Sequence, residues 1–327
     1  MERLQHHWYR LSPLHLLLYP ISIVFRALSA LRRFLYRSGI LAAVKLPVPV
    51  VIVGNISVGG TGKTPLILWL AQQLIDNGWH PGIVSRGYGS NGKHGGVPRE
   101  VTADNVADEV GDEPLLMAQR ALCPVWTGRD RPAAAQALLA AHPECDIILS
   151  DDGMQHYRLR RDAEIAVVDG ARRFGNGMLL PAGPLREPVS RLREVDAVVV
   201  NGGPAQGNEF TMHLEGNIFY NLLNPGIVAS PADLAGKRLH AIAGIGHPQR
   251  FFAHLEQFGL RITPHPFPDH HRFNADDLAF VEADAILMTE KDAVKCAAFA
   301  TERCWALRVD ALVSPPLTQL ILEKVTP

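Results

Sequence analysis

The chain has 327 residues, 47% of them hydrophobic, which is enough for one large or two ordinary domains with real cores. Its four cysteines, Cys123, Cys145, Cys296 and Cys304, contain no Cys-x-x-Cys pair, so neither a zinc site nor a disulfide framework is suggested and a reducing cytosol is the natural compartment. The net charge of −1 conceals a basic start: residues 1–50 carry seven Lys/Arg against the single acid Glu2, and such an excess beside apolar residues points to an anionic surface.

In chain order, the first predicted element is an amphipathic helix. Leu14, Leu17, Leu18, Ile21, Val24, Phe25, Leu28, Leu31 and Leu35 recur at helical spacing. His15, Ser22, Arg26, Ser29, Arg33 and Arg37 occupy the other side, and Pro20 predicts a bend. A spanning helix needs about 20 predominantly apolar residues, and Arg26 would cost roughly 2.5–3.5 kcal/mol at the bilayer centre. A secretory signal would export a nucleotide site to a compartment without ATP. The favoured reading is a helix lying in the membrane interface with its arginines toward anionic headgroups. The plain alternative is that the stripe packs on the protein's own core.

Val50–Gly54 reads as a buried strand, and Asn55–Gly62 as a glycine-rich turn that opens a helix at Lys63-Thr64-Pro65. Successive backbone N–H groups of Ser57, Val58, Gly59, Gly60, Thr61 and Gly62 would face one concavity. Lys63 would reach the β- and γ-phosphates of a nucleotide and the Thr64 hydroxyl would ligate Mg²⁺. Ser57 stands where the general pattern has glycine, with Gly59 and Gly60 supplying backbone freedom instead.

Pro81–Ser85, Asp146–Ser150, Glu164–Val168 and Ala197–Val200 are short apolar runs between helical stretches, the pattern of a parallel sheet covered on both faces. Ligands sit at the carboxyl ends of such strands. There the chain places Asp151 and Asp152, either of which could hold the second side of Mg²⁺. Ser85-Arg86-Gly87-Tyr88 could present an arginine to phosphate or be a solvated turn. Gly111-Asp112-Glu113-Pro114 has helix-cap character, and Leu185-Arg186-Glu187-Pro188 is a proline-braced turn.

The composition changes at Asn201–Gly207, which reads as a connection. The expected organisation is a membrane-associating helix over 1–45, a P-loop ATP-binding domain over 46–207 and a smaller α/β domain over 208–327 closing on it. In the last of these, Gly244-x-Gly246 is too short for a dinucleotide fingerprint. Asp269-His270-His271 invites a metal reading, but adjacent side chains in an extended segment diverge, so one histidine as base or orienting group is preferred. Thr289-Glu290-Lys291-Asp292 opens a helix with good cap character.

Taken together and in order, Gly54–Thr64, Ser85–Tyr88, Gly111–Pro114, Asp151–His156, Leu185–Pro188, Pro268–His270 and Thr289–Asp292 resemble the tetraacyldisaccharide 4′-kinase family over essentially the whole chain. The family phosphorylates a lipid A precursor at the bacterial inner membrane. The resemblance implies ATP on Ser57–Thr64, with Mg²⁺ held by Thr64, Asp151, Asp152 and Glu113. It implies Asp112 and His270 as the pair that takes the proton of the sugar hydroxyl. Arg86, Tyr88, Arg131, His156 and Arg186 become candidates for phosphate or substrate contact. It also implies a peripheral enzyme on the cytoplasmic face, with a membrane glycolipid as substrate, no nucleic acid and no obligate protein partner. The rival classes are a P-loop GTPase or ATPase switch or metallochaperone, and a membrane-recruited scaffold that only binds nucleotide. No Asn-Lys-x-Asp guanine reader is found for the first, and Thr289–Asp292 lacks its Asn.

Overall fold

Turn formers bracket nearly every apolar run of this chain, and most such runs become strands of one sheet. The computed structural model describes residues 7–9, 13–87 and 97–326. Helix α1 (Leu14–Arg37) runs 24 residues without interruption through Pro20. By length and composition it is apolar enough to cross a membrane. Its polar side, however, is the one turned inward. The buried Ser22 hydroxyl donates to the Leu179 carbonyl (2.9 Å) and accepts from the Ala182 N–H (3.0 Å). Leu17, Ile21, Val24, Leu28 and Leu31 are each more than half exposed. Only the edge of the stripe, with Leu14, Leu18, Phe25 and Leu35 half-buried, turns to the protein, where Phe25 packs on its core.

Beyond α1 come β1 (Val50–Gly54), α2 (Lys63–Asp76), β2 (Pro81–Ser85), β3 (Arg99–Val101), α3 (Ala107–Val110), α4 (Asp112–Arg120) and β4 (Val125–Thr127). They continue with α5 (Arg131–Ala141), β5 (Ile147–Asp151), β6 (Ala163–Asp169) and β7 (Ala197–Asn201). Strands β1, β2, β5 and β6 are buried along their whole length, which is why they read as unbroken apolar runs rather than alternating ones. A 12-residue strand β8 (Phe210–Asn221) then leads out of this half. It is followed by β9 (Val228–Ala229), α6 (Pro231–Leu234), β10 (Leu239–Ala243), α7 (Pro248–Gln257), β11 (Ile262–Pro266), β12 (Ala285–Thr289) and α8 (Glu290–Cys296). Strand β13 (Cys304–Val313) returns, and α9 (Pro316–Val325) ends the described chain.

The sheet order is β11-β10-β12-β13-β8-β7-β6-β1-β5-β2-β4-β3, with β9 paired to β8. Both flanking groups are parallel, apart from the edge strand β3, and they meet through the antiparallel β8–β13 pair. Gly216 sits where that pair bulges opposite Arg308–Asp310; a Cβ there would clash with the Arg308 carbonyl oxygen. Helix α9 goes back to the first group. Leu317, Ile321 and Val325 are buried in the same cluster as Leu66 and Leu70 of α2 and Val51 and Val53 of β1. Thr318 and Lys324 add a hydrogen bond to Gln73 (3.1 Å) and an ion pair to Asp196 (2.8 Å).

Candidate active site

Strand β1 ends level with its parallel neighbour β5, where Val53 pairs with Asp151, while β6 on the other side runs on to Asp169. The turn after β1 therefore lies over the carboxyl end of β5 and beside the last residues of β6. The turn is held from below. The fully buried Asn55 donates to the Gly59 carbonyl and the Thr61 hydroxyl, both at 3.3 Å, and Asn201 donates to the Thr61 carbonyl at 3.0 Å. Ser57 forms an isolated antiparallel bridge with Leu185, and Val58 N–H donates to the Pro184 carbonyl at 2.8 Å. Left-handed backbone occurs at Gly59 (φ 106°) and Gly62 (φ 92°), and neither Ser57 nor Gly60 needs it. Serine is therefore accommodated at 57 without strain, and the freedom lies at Gly59 and Gly62 rather than at Gly60. At Gly62 a Cβ would also clash with Asn201 Nδ2. Helix α2 then begins at Lys63, with Gly62 as its cap residue.

Asp151 closes β5, and its two oxygens differ. Oδ2 accepts from the Ser85 hydroxyl at 2.9 Å, whereas buried Oδ1 has no hydrogen-bond partner among the described residues. Burial first, then the nearby Glu113 carboxylate, pushes Asp151 up to about 6 against the pull of Lys63. Asp152, at φ 46°, turns the other way and receives Arg186 Nη1 on both oxygens (3.1 and 2.9 Å), with Lys63 Nζ 3.5 Å from Oδ1. Burial opposes its charge, but Lys63 and Arg186 outweigh that and hold the carboxyl well below the usual carboxylate range. Arg131 is buried; Nη1 and Nη2 donate to the backbone carbonyls of Gly128 (3.3 Å) and Asp151 (2.7 Å), which fixes the end of β5 from behind, while Nε has no partner among the described residues. Burial pushes its guanidinium down to about 10.

Across the cleft, α4 starts at Asp112 with Gly111 (φ 95°) as its cap. Asp112 Oδ1 accepts from the Glu113 N–H at 3.0 Å, and Oδ2 accepts from His270 Nδ1 at 3.0 Å. His270 has φ 58°, an unusual conformation for a residue with a Cβ and a mark of a constrained site. His271 points away to Asp277 (3.0 Å) and stacks on Phe267, so the two histidines diverge. Among the described residues no three His, Cys, Asp or Glu side chains converge as a metal cage. Burial works against the Asp112 charge, but the His270 hydrogen bond and Lys291 outweigh it and bring the carboxyl to about 2. The same hydrogen bond raises the His270 imidazole above its ordinary value, partly against burial.

Lys291 was not legible as a site residue. Its ammonium lies 3.1 Å from Glu113 and 3.8 Å from both Asp112 and Asp269. Burial opposes its charge, but those carboxylates prevail and raise it above the ordinary lysine value. It is presented by α8, whose Thr289 cap accepts from the Asp292 N–H at 3.2 Å. The preceding Glu290 is clamped by Arg120 Nη1 at 2.8 and 2.7 Å, while Arg120 Nη2 pairs with Asp310.

A cleft of 2250 Å³ joins the Lys63–Thr64 end of the turn, Glu113, Asp151, Asp152 and Arg186 to His270 and Lys291 on the other side. Arg86 lines it as well, exposed. His156 does not: it is half-buried, its Nε2 has no partner among the described residues, and burial followed by Arg131 and Arg32 pushes it down to about 4. Tyr88 lies outside the described residues.

A strand-to-helix phosphate cradle whose strand-end carboxylates share a cleft with a histidine backed by a buried carboxylate is the construction of a P-loop phosphotransferase. The family profile of tetraacyldisaccharide-1-P 4′-kinase matches residues 14–326, and the chain belongs to that family. It is 52% identical to the tetraacyldisaccharide 4′-kinase of Methylobacillus flagellatus over 99% of this chain and 96% of the relative. It is 53% identical to that of Azoarcus sp. (strain BH72), over 98% and 94% respectively. The crystal structure of an "apo" form of LpxK from Aquifex aeolicus in complex with ATP superimposes with a TM-score of 0.82 at 30% identity, covering 96% of this chain and all of that one.

Proposed function

We propose that this protein transfers the γ-phosphoryl group of ATP to the 4′-hydroxyl of a tetraacyldisaccharide 1-phosphate. The observation that carries the reading is the Asp112–His270 pair, whose histidine lines the same cleft as the phosphate turn while Asp112 lies buried behind it. The catalytic residues are Asp112, His270 and Lys63, and the nucleotide phosphates lie on the Ser57–Thr64 backbone.

Asp112 is ionised at neutral pH and accepts the proton of the sugar hydroxyl at Oδ2, while His270 holds the carboxylate in place and stabilises it. A carboxylate of such low basicity suits a loose phosphoryl transition state, in which the hydroxyl proton is lost late. Lys291 adds a positive charge beside Asp112, and Lys63 neutralises the phosphates. The 208–327 unit carries His270 to Asp112 of the 46–207 unit, and packing of the one over the other excludes water from the pair.

The orphaned, buried Oδ1 of Asp151 suits a hard cation that takes oxygen ligands, and Mg²⁺ at such sites is bound by one or two carboxylates plus phosphate and water. Thr64 and Asp151 would hold it, with Glu113 nearby, while Asp152 is engaged by Arg186 and Lys63. When bound, Mg²⁺ supplies charge neutralisation at the β- and γ-oxygens.

The outward apolar face of α1 supports a helix lying in the cytoplasmic leaflet of the inner membrane. Arg33 and Arg37 tie its end to Glu194 (3.1 and 3.0 Å), and Arg26 and Arg32 are left for headgroups. An enzyme acting on an embedded glycolipid gains by lying in the same interface.

The test is transfer of label from γ-labelled ATP with Mg²⁺ to detergent-dispersed tetraacyldisaccharide 1-phosphate. Labelled lipid from the wild type that is lost in Lys63→Ala and Asp112→Ala is the expected result. ATP binding with no labelled lipid under any detergent condition would leave a switch or scaffold instead.

A further inference from the structure

The arginines beside the phosphate turn are not equivalent. Arg186 is committed to Asp152, and Arg131 to two backbone carbonyls. Arg172 differs. Strand β6 runs parallel to β1 and delivers Asp169, itself buried, beside the phosphate turn. Asp169 Oδ1 accepts from the N–H groups of Ala171 (3.1 Å) and Arg172 (2.9 Å), which folds the chain back on itself. Its Oδ2 accepts from Arg172 Nε (3.1 Å) and Nη2 (2.9 Å), and Arg250 Nη1 lies 3.5 Å from the same oxygen. Arg172 Nη2 also donates to the Gly60 carbonyl at 2.5 Å.

One edge of the guanidinium is thus locked, and the remaining nitrogen, Nη1, is aimed at Gly59: a Cβ built there would stand 3.4 Å from it. Among the described residues no acceptor meets Nη1. Gly59 carries no side chain to cover Nη1, and Arg172 lines the same cleft as the turn. A planar cation held by a buried carboxylate loses little freedom when it meets phosphate.

We propose that Arg172 is a catalytic residue that donates through Nη1 to a terminal-phosphate oxygen of the bound nucleoside triphosphate. The proposal rests on the kinase reading above. In the step it serves, the bond from the γ-phosphorus to the β–γ bridging oxygen breaks and the bond to the acceptor hydroxyl oxygen forms. The hydroxyl proton passes to Asp112, and the bridging electron pair leaves with the β-phosphate. Arg172 neutralises the negative charge that develops on the transferring and leaving oxygens, which is why its effect appears in the transition state rather than in ground-state binding.

The experiment compares wild type, Arg172→Gln and Arg172→Lys in lipid phosphorylation. It adds equilibrium binding of MgADP alone, and of MgADP with aluminium fluoride and acceptor lipid. The expected result is a kcat lower by about 10²–10³-fold in Arg172→Gln, with the affinity for MgADP within about threefold of wild type. Affinity for the aluminium fluoride complex falls by a factor similar to that of kcat. Arg172→Lys keeps a cation for Asp169 but has no second nitrogen beside Gly59, and shows most of the same loss at an unchanged melting temperature. A kcat within about threefold of wild type in either folded variant would overturn the assignment. So would an MgADP affinity that falls in step with kcat, because that is the behaviour of a residue that only braces the turn. Absence of transfer by the wild type would instead refute the kinase reading, and the two failures are separate.

Discussion

Asp112 and His270 are 158 residues apart in the chain, yet their side chains meet at 3.0 Å with the carboxylate almost wholly buried. One supplies the charge and the other holds it. Asp112→Asn keeps the shape and removes the base, and kcat is expected to fall by about 10²–10⁴-fold while ATP affinity survives. His270→Ala acts through Asp112, so the double variant should be no slower than Asp112→Asn alone. Additive losses in steady-state kinetics would show that the two residues work independently.

Glu290 is buried, and the Arg120 guanidinium is its charge partner. Removing one member of such a pair leaves an uncompensated buried charge, at a cost of about 3–5 kcal/mol. Arg120→Met is therefore expected to be strongly destabilised in urea unfolding, and Arg120→Met/Glu290→Met much less so. Equal destabilisation by the single and double variants would mean that the pair's charges are not what holds α4 to α8.

His156 sets an acid limit on stability. The unfolded chain binds a proton at the ordinary value of 6.5, whereas the folded protein resists it down to about 4 because of burial and the neighbouring arginines. The unfolded state therefore binds more protons in that window, and stability rises with pH through it. The contribution is complete above 6.5 and is lost as pH falls toward 4. His156→Gln should lose less stability than wild type between about pH 7 and about pH 5, read as the shift in urea midpoint. An identical shift in both proteins would refute this.

The two sides of α1 should respond oppositely. Leu17→Glu and Leu28→Glu alter exposed positions, so the urea midpoint should barely move, within about 0.5 kcal/mol. Binding to vesicles of anionic phospholipid should fall several-fold in sedimentation. Ser22→Val should do the reverse, leaving the Ala182 N–H without its partner, while the Leu179 carbonyl keeps only the Gly183 N–H, at a cost of about 1–3 kcal/mol. Unchanged vesicle binding in the Glu variants would remove the interfacial reading of the helix.

The phosphate turn, the strands around it and Asp151 at a strand end were legible because each is a local pattern: an apolar run, a glycine-rich stop, a carboxylate. Asp112 read locally only as a helix cap, and its pairing with His270 was an implication of the family resemblance. Strand β11 was not, since Ile-Thr-Pro-His-Pro is poor strand sequence; it survives because β11 is an edge strand, where proline need not donate to a neighbour. Lys291 and Arg172 stayed hidden for a different reason. Both sit in common contexts, a helix start and a turn, and acquire meaning only from carboxylates and carbonyls brought from elsewhere in the chain. The amphipathic stripe of α1 was plain, but periodicity alone does not say which face is turned to the protein, and here it is the one with His15 and Ser22.

Because α9 places Leu317, Ile321 and Val325 among the residues that cover α2, the nucleotide half cannot finish its interior until the last stretch of the chain has been made. During synthesis the ribosome would release the phosphate turn long before the helix that seals beneath it. The half formed earliest is thus completed last, and an interrupted polypeptide carries the whole Ser57–Thr64 turn on an open core.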